Sequence, residues 1–166
     1  MTTDNFWRQT FVIASLAVAA VALSGCSMID QVVNTVSDAA DPGEGTTENI
    51  FSVGVGDCEA VSQTADEVDS TRTIDCSEPH ATEFYAVVIV PDGDFPEQDA
   101  MYALGDAECL AAFESYIGVN YDDSIYDFSY YSPSTETWAS GDREILCYAY
   151  DYSGAQIAGS VAGVGR

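Results

Sequence analysis

Five cysteines, at positions 26, 58, 76, 109 and 147, constrain what this chain can fold into more than any other feature. Each cross-link dictates which segments must meet and removes freedom from the unfolded chain. Cys26 stands apart from the rest. It lies directly behind "FVIASLAVAAVALS", residues 11–24, an uncharged and mostly apolar run. That run is short for a bilayer span, which needs about 20 residues, and has the length of a signal-peptide core. Arg8, Asp4 and the free amino group give it a weakly positive leader. Export would carry the remaining cysteines into an oxidising compartment. Cys58, Cys76, Cys109 and Cys147 then make two disulfides, with three pairings possible. Cys58–Cys76 with Cys109–Cys147 is favoured, because each pair lies in one half of the folded part. Each such loop would contribute about 3–4 kcal/mol. The other two pairings stay open at this level.

The apolar run closes with "LSGC", Leu23–Cys26, which resembles a bacterial lipobox. In such sequences the cysteine is acylated with palmitate-type chains and becomes the first residue of the mature protein. Two or more chains anchor a protein stably. The expected organisation is a lipoprotein signal peptide over residues 1–25, a flexible lipid-anchored tether over 26–49, and one extracellular domain over 50–166. The tether ends in Asp, Pro, Gly, Glu and Thr, residues that disfavour a packed core. The expected location is the extracytoplasmic face of the cell membrane, with the membrane a partner through lipid at Cys26.

The chain has 28 acidic residues against four arginines and no lysine, a formal net charge of −24. Such a surface repels nucleic acid and anionic membranes. It attracts cations diffusely and favours solubility.

Within residues 50–166, "FSVGVGDCEAV" (51–61) suggests a short strand leading into Cys58, "SQTADEVDSTR" a polar loop, and "TIDC" a second strand. "ATEFYAVVIV" enters an apolar strand that reads as central and covered on both faces. "QDAMYALGDAECLAAFESYIG" is the main helix, with Cys109, Leu110, Phe113 and Ile117 on one face and Gly118 as its stop. Gly105 lies inside or divides that helix, and Asp106 is a possible cap for its second part. Two strands follow, "SIYDFSYY" and "REILCYAYDY", with a turn or helical turn between them. "SGAQIAGSVAG" suggests a terminal strand. The fold class is α+β: a small disulfide-stabilised domain with a mainly antiparallel sheet and one main helix.

Few residues point to chemistry. Cys76, His80 and Glu83 invite a zinc or Cys–His reading, but both need a thiolate that oxidation removes. His80 and Glu83 read instead as organisers of the turn at Pro79. Asp92, Asp94 and Glu97 lack the spacing of a calcium loop. Ser160 lacks a nucleophile-elbow context. No motif calls for a cofactor. Asp142 and Arg143, adjacent on a strand, should face opposite sides, with Glu83 or Glu136 as partners for Arg143 and Trp138 covering a core edge. Tyr126, Tyr130, Tyr131, Tyr148, Tyr150 and Tyr152 fall in two strands and could form an aromatic stripe.

"VGDC" (55–58), "DCSEPHATEFYAVV" (75–88), "AECLAAFESYIG" (107–118), "SPSTETWASGDREILC" (132–147) and "AGSVAG" (158–163) together resemble the septum-formation domain family of actinobacterial envelope proteins. The resemblance spans almost all of residues 51–166. It implies paired cysteines, a place on the outer face of the membrane and a link to cell division, and it establishes no activity. Its pattern falls on Cys58, Cys76, Pro79, His80, Glu83, Cys109, Phe113, Pro133, Trp138, Gly141, Asp142, Arg143 and Cys147, and among these His80, Glu83, Trp138, Asp142 and Arg143 are read as a recognition or structural patch. The expected function is an interaction module contacting an envelope protein or cell-wall polymer. The alternatives are a carboxylate-dependent hydrolase and a purely structural spacer.

Overall fold

The computed structural model describes residues 45–63 and 68–166. The expected signal peptide, Cys26 and nearly all of the tether lie outside the described residues. Six strands build one antiparallel sheet: β1 (Thr46–Asn49), β2 (Cys58–Glu59), β3 (Ser70–Ile74), β4 (Thr82–Ile89), β5 (Tyr126–Tyr131) and β6 (Glu144–Asp151). Their spatial order is β1-β3-β2-β4-β6-β5. A 20-residue helix, α1 (Gln98–Ile117), links β4 to β5, and a single helical turn, α2 (Thr135–Ala139), links β5 to β6. The small α+β domain with one main helix expected from sequence is what the chain forms.

Period-2 alternation sorts β5 and β6 onto two faces. Ile145, Cys147 and Ala149 join Phe128 and Tyr130 under α1, while Leu146 and Tyr148 join Phe84 and Tyr131 on the opposite face. In β4 the register shifts between Phe84 and Ala86. This is a bulge: Tyr85 is the extra residue, and it buries under α1 with its hydroxyl donating to the Cys109 carbonyl at 2.9 Å. β4 is central as expected, but its two-sided cover ends early, since Ile89 is 63 % exposed.

Helix α1 buries a row spaced by four: Met101, Gly105, Cys109, Phe113 and Ile117. Leu110, expected on that row, is exposed instead. It sits one position beyond Cys109, about 100° round the helix. Gly105 does not divide the helix. It lets the Tyr130 ring approach so closely that a Cβ there would lie 2.5 Å from the ring. Asp106 caps nothing, and accepts the Tyr130 hydroxyl at 3.0 Å. Gly118 ends the helix in the left-handed region at φ 87°, its N–H reaching the Glu114 carbonyl. Cys109 is bonded to Cys147, pinning α1 to β6, and Cys58 to Cys76, tying β2 to the end of β3.

Three segments differ from expectation. Thr46–Asn49, assigned to the tether, pairs with β3 as an edge strand. Residues 50–52 form a 3₁₀ turn capped by Asn49, so the strand before Cys58 shrinks to β2, and β3 begins at Ser70 within the supposed loop. The expected terminal strand is absent. Ile157 makes one isolated bridge to His80, and the chain beyond it is held by single N–H donations from Gly159 to the Cys76 carbonyl, Gly163 to that of Tyr116 and Gly165 to that of Ile117. Its glycines at 159, 163 and 165 hold positive φ, which breaks a ladder.

Candidate functional site

The structure splits the residues singled out from sequence into two groups at opposite ends of β4. A strand of that length separates them by roughly 20 Å. His80 and Glu83 lie at the start of the strand. His80 is fully buried, and its Nδ1 donates to the Glu78 carbonyl at 2.8 Å, organising the Pro79 turn. Because a carbonyl only accepts, Nδ1 carries the hydrogen. Nε2 has no partner among the described residues.

Glu83 does not serve the turn. Its Oε1 accepts from the Tyr116 and Ser160 hydroxyls, each at 2.7 Å, and its Oε2 from the Val161 N–H at 2.7 Å. It thereby fastens β4, α1 and the segment after Gly159 to one point. Burial, followed by this hydrogen bond to Glu83, pushes the Tyr116 phenol well above its ordinary value. Cys58, Cys76 and Glu83 cluster within 4.8 Å, but the bonded sulfurs offer no thiolate and the carboxyl oxygens are already engaged. This geometry gives zinc and thiol catalysis no support.

A second buried carboxyl, Glu59, escaped notice in the sequence. It stands as a single acid between Cys58 and Ala60 and matches no motif. It accepts from the hydroxyls of Thr71 at 2.5 Å and Thr82 at 2.9 Å, with the Tyr131 hydroxyl at 3.4 Å from each oxygen. Burial and then the charge of Glu59 raise the Tyr131 phenol far above its usual range. Glu59 pairs across the sheet with Thr82, the neighbour of Glu83. The two glutamates therefore point to opposite faces, both inaccessible. They cannot flank a glycosidic bond.

Beyond the far end of β4, Arg143 stacks on Trp138 with its guanidinium carbon 3.7 Å from the ring centre. Its Nε pairs with Asp92 at 2.9 Å, and its Nη1 donates to the carbonyls of Trp138 and Asp142. Asp92, not Glu83 or Glu136, is thus its carboxylate. Trp138 is buried, set by the Ser134 capping box of α2, and packs edge-on against Phe95. Asp142 turns the chain into β6 by accepting the Glu144 N–H at 3.0 Å.

The open surface lies beside this corner, on the sheet face that α1 leaves uncovered. A groove of about 380 Å³ runs between the 3₁₀ turn at Ile50 and Phe51 and helix α2. Its floor is Tyr131, Leu146 and Tyr148, with the two tyrosine rings 5.0 Å apart. A second depression, about 680 Å³, shares Phe51, Asp69, Thr137, Asp142 and Glu144 with the first and extends to Ile89 and Arg143. Phe51 and Ile89 are 51 % and 63 % exposed. The expected six-tyrosine stripe is thus divided. Tyr126 and Tyr130 pack toward α1, with Tyr130 also at the groove's edge, Tyr131 and Tyr148 floor the groove, Tyr150 donates its hydroxyl to Asp127, and Tyr152 projects into solvent. Burial raises the Tyr148 phenol, keeping it neutral.

No curated protein and no solved structure matches the chain. A family model described as septum formation matches residues 55–163, well over half of it. The match begins just before β2 and runs past Val161, so it takes in both disulfides, both buried glutamates and most of the groove. The chain belongs to the septum formation family.

Proposed function

We propose that this chain is a lipid-anchored envelope module that acts by contact, holding a partner protein or a wall polymer in the groove, in a task linked to septum formation. The observation that carries this reading is the groove itself: an aromatic floor with Phe51 and Ile89 exposed on the rim. Exposed apolar and aromatic residues gathered at one depression mark interaction surfaces. Family membership supports the link to the septum. "LSGC" behind the apolar run of residues 11–24 supports acylation of Cys26 and attachment to the outer face of the cell membrane. The buried, fully hydrogen-bonded glutamates favour contact over hydrolysis.

Two experiments test this. Intact mass of the mature protein should show acyl chains on Cys26, and an unmodified precursor as the only species would refute the anchor. A photo-crosslinking residue at Phe51 should trap a discrete partner in living cells, whereas one at Tyr152 should not. Equal, empty lanes from both positions would leave only a spacer role.

A further inference from the structure

The groove has a charge pattern as well as a shape. Asp69, Asp142 and Glu144 line both depressions, and Glu136 lines the second. None of these four carboxylates forms an ion pair among the described residues. The nearby guanidinium of Arg143 is taken by Asp92 and two carbonyls. Tyr131 and Tyr148, their rings 5.0 Å apart, line the first depression together with Asp69, Asp142 and Glu144. Aromatic faces flanked by uncompensated carboxylates suit a guanidinium or ammonium, whose stem packs on the ring while its head meets the acid. A volume of about 380 Å³ is at the small end for a ligand cleft, enough for one or two long side chains. An anionic wall polymer would be repelled by this rim and by the net charge of −24. A neutral sugar polymer can donate hydroxyls to the four acids but leaves their negative charge uncompensated.

We propose that the groove binds an extended, arginine- or lysine-bearing segment of a partner protein, with cationic heads on Asp69, Asp142 and Glu144 and their stems on the Tyr131–Tyr148 floor. This rests on the reading of the domain as a contact module and names the chemistry of its partner. The segment's backbone lies along the opening between the Phe51 turn and α2.

The test uses the folded domain with a labelled short peptide alternating arginine and serine. Its aspartate–serine counterpart and a neutral chitooligosaccharide serve as comparison probes. The arginine peptide should bind, should shift groove resonances, and should weaken as sodium chloride rises from about 0.05 to 0.5 M. Asp142→Asn with Glu144→Gln should weaken it about tenfold, with the near-ultraviolet circular dichroism unchanged. Asp69→Asn, at an exposed position, repeats the test should that double variant fold poorly. Asp122→Asn with Asp123→Asn removes the same charge on another surface and should leave affinity within about twofold. Equal weakening by both pairs would mean diffuse attraction and overturn the proposal. Groove shifts from the sugar oligomer and none from the peptide would also overturn it. If no peptide binds while the Phe51 crosslinker still traps a partner, this inference falls and the contact reading stands. If the crosslinker traps nothing either, both fall.

Discussion

Removing the carboxyl of Glu83 should destabilise this domain severely. Three donors converge on it: the Tyr116 hydroxyl, the Ser160 hydroxyl and the Val161 N–H, all at 2.7 Å. Glu83→Ala strands all three around an enclosed space. An unsatisfied buried donor costs about 1–3 kcal/mol. The hydroxyls of Tyr116 and Ser160 can turn toward other acceptors, whereas the Val161 N–H cannot. The expected loss is therefore about 3–5 kcal/mol, a large share of the ~5–15 kcal/mol typical of a domain. Glu83→Gln separates geometry from chemistry. The amide keeps one accepting oxygen, which can serve Val161, while its NH₂ asks both hydroxyls to reverse roles. About 1–3 kcal/mol should be lost. Ser160→Ala alone should cost about 1 kcal/mol, and in the Glu83→Ala background almost nothing, because the partners share one acceptor. Equilibrium urea unfolding followed by near-ultraviolet circular dichroism measures all four. Additive losses, or a Glu83→Ala midpoint within error of wild type, would refute the claim that this carboxyl fastens the segment after Gly159.

Three further outcomes follow from the same geometry. Gly105→Ala gains roughly 1 kcal/mol of helix propensity but drives a methyl into the Tyr130 ring, so it should destabilise by about 1–3 kcal/mol net, measured as a fall in urea midpoint. Arg143→Lys loses the planar stack on Trp138 and the fork to Asp92 and the two carbonyls. It should cost about 1–2 kcal/mol and alter tryptophan fluorescence. Stability should fall above pH 10. Burial holds Tyr116, Tyr131 and Tyr148 above their ordinary values, and burial followed by hydrogen bonds to Asp106 and Asp127 pushes Tyr130 and Tyr150 up to about 12. From about pH 10 upward the unfolded chain sheds phenolic protons that the folded chain keeps, so unfolding is favoured. A urea midpoint that is level between pH 9 and about pH 11 would contradict this.

The parts legible in the sequence are those with a short period. Alternation in "FSYY" and "ILCYAYD" fixes which residues of β5 and β6 share a face, and the spacing of Cys109, Phe113 and Ile117 reveals the row on α1. Leu110 misleads because an apolar residue next to a buried one looks buried until the helix is wound. β1 has no apolar face, being four polar residues at a sheet edge, so only its pairing with β3 declares it. Partner choice was less visible still. Arg143 takes Asp92, 51 positions away, because the corner after β4 folds back beside β6. His80, Glu83, Trp138, Asp142 and Arg143 look like one patch in a list of motifs, yet β4 holds them apart. The groove was invisible because its walls come from the Phe51 turn, α2 and β6, none of which signals the others.

The anchoring of Glu83 by Ser160 and Val161, 77 and 78 positions away, bears on how the domain comes to be finished. The Cys58–Cys76 link spans only 18 positions, and loops of that size close early. A partly assembled chain can therefore oxidise its first pair while its central strand still presents an unsheltered acid. Water keeps that acid solvated and the core beside it open. When the segment beyond Gly159 docks, it supplies the donors and excludes the water in one step. The carboxyl thus makes the dry packing of β4 conditional on a segment 77 and 78 positions downstream.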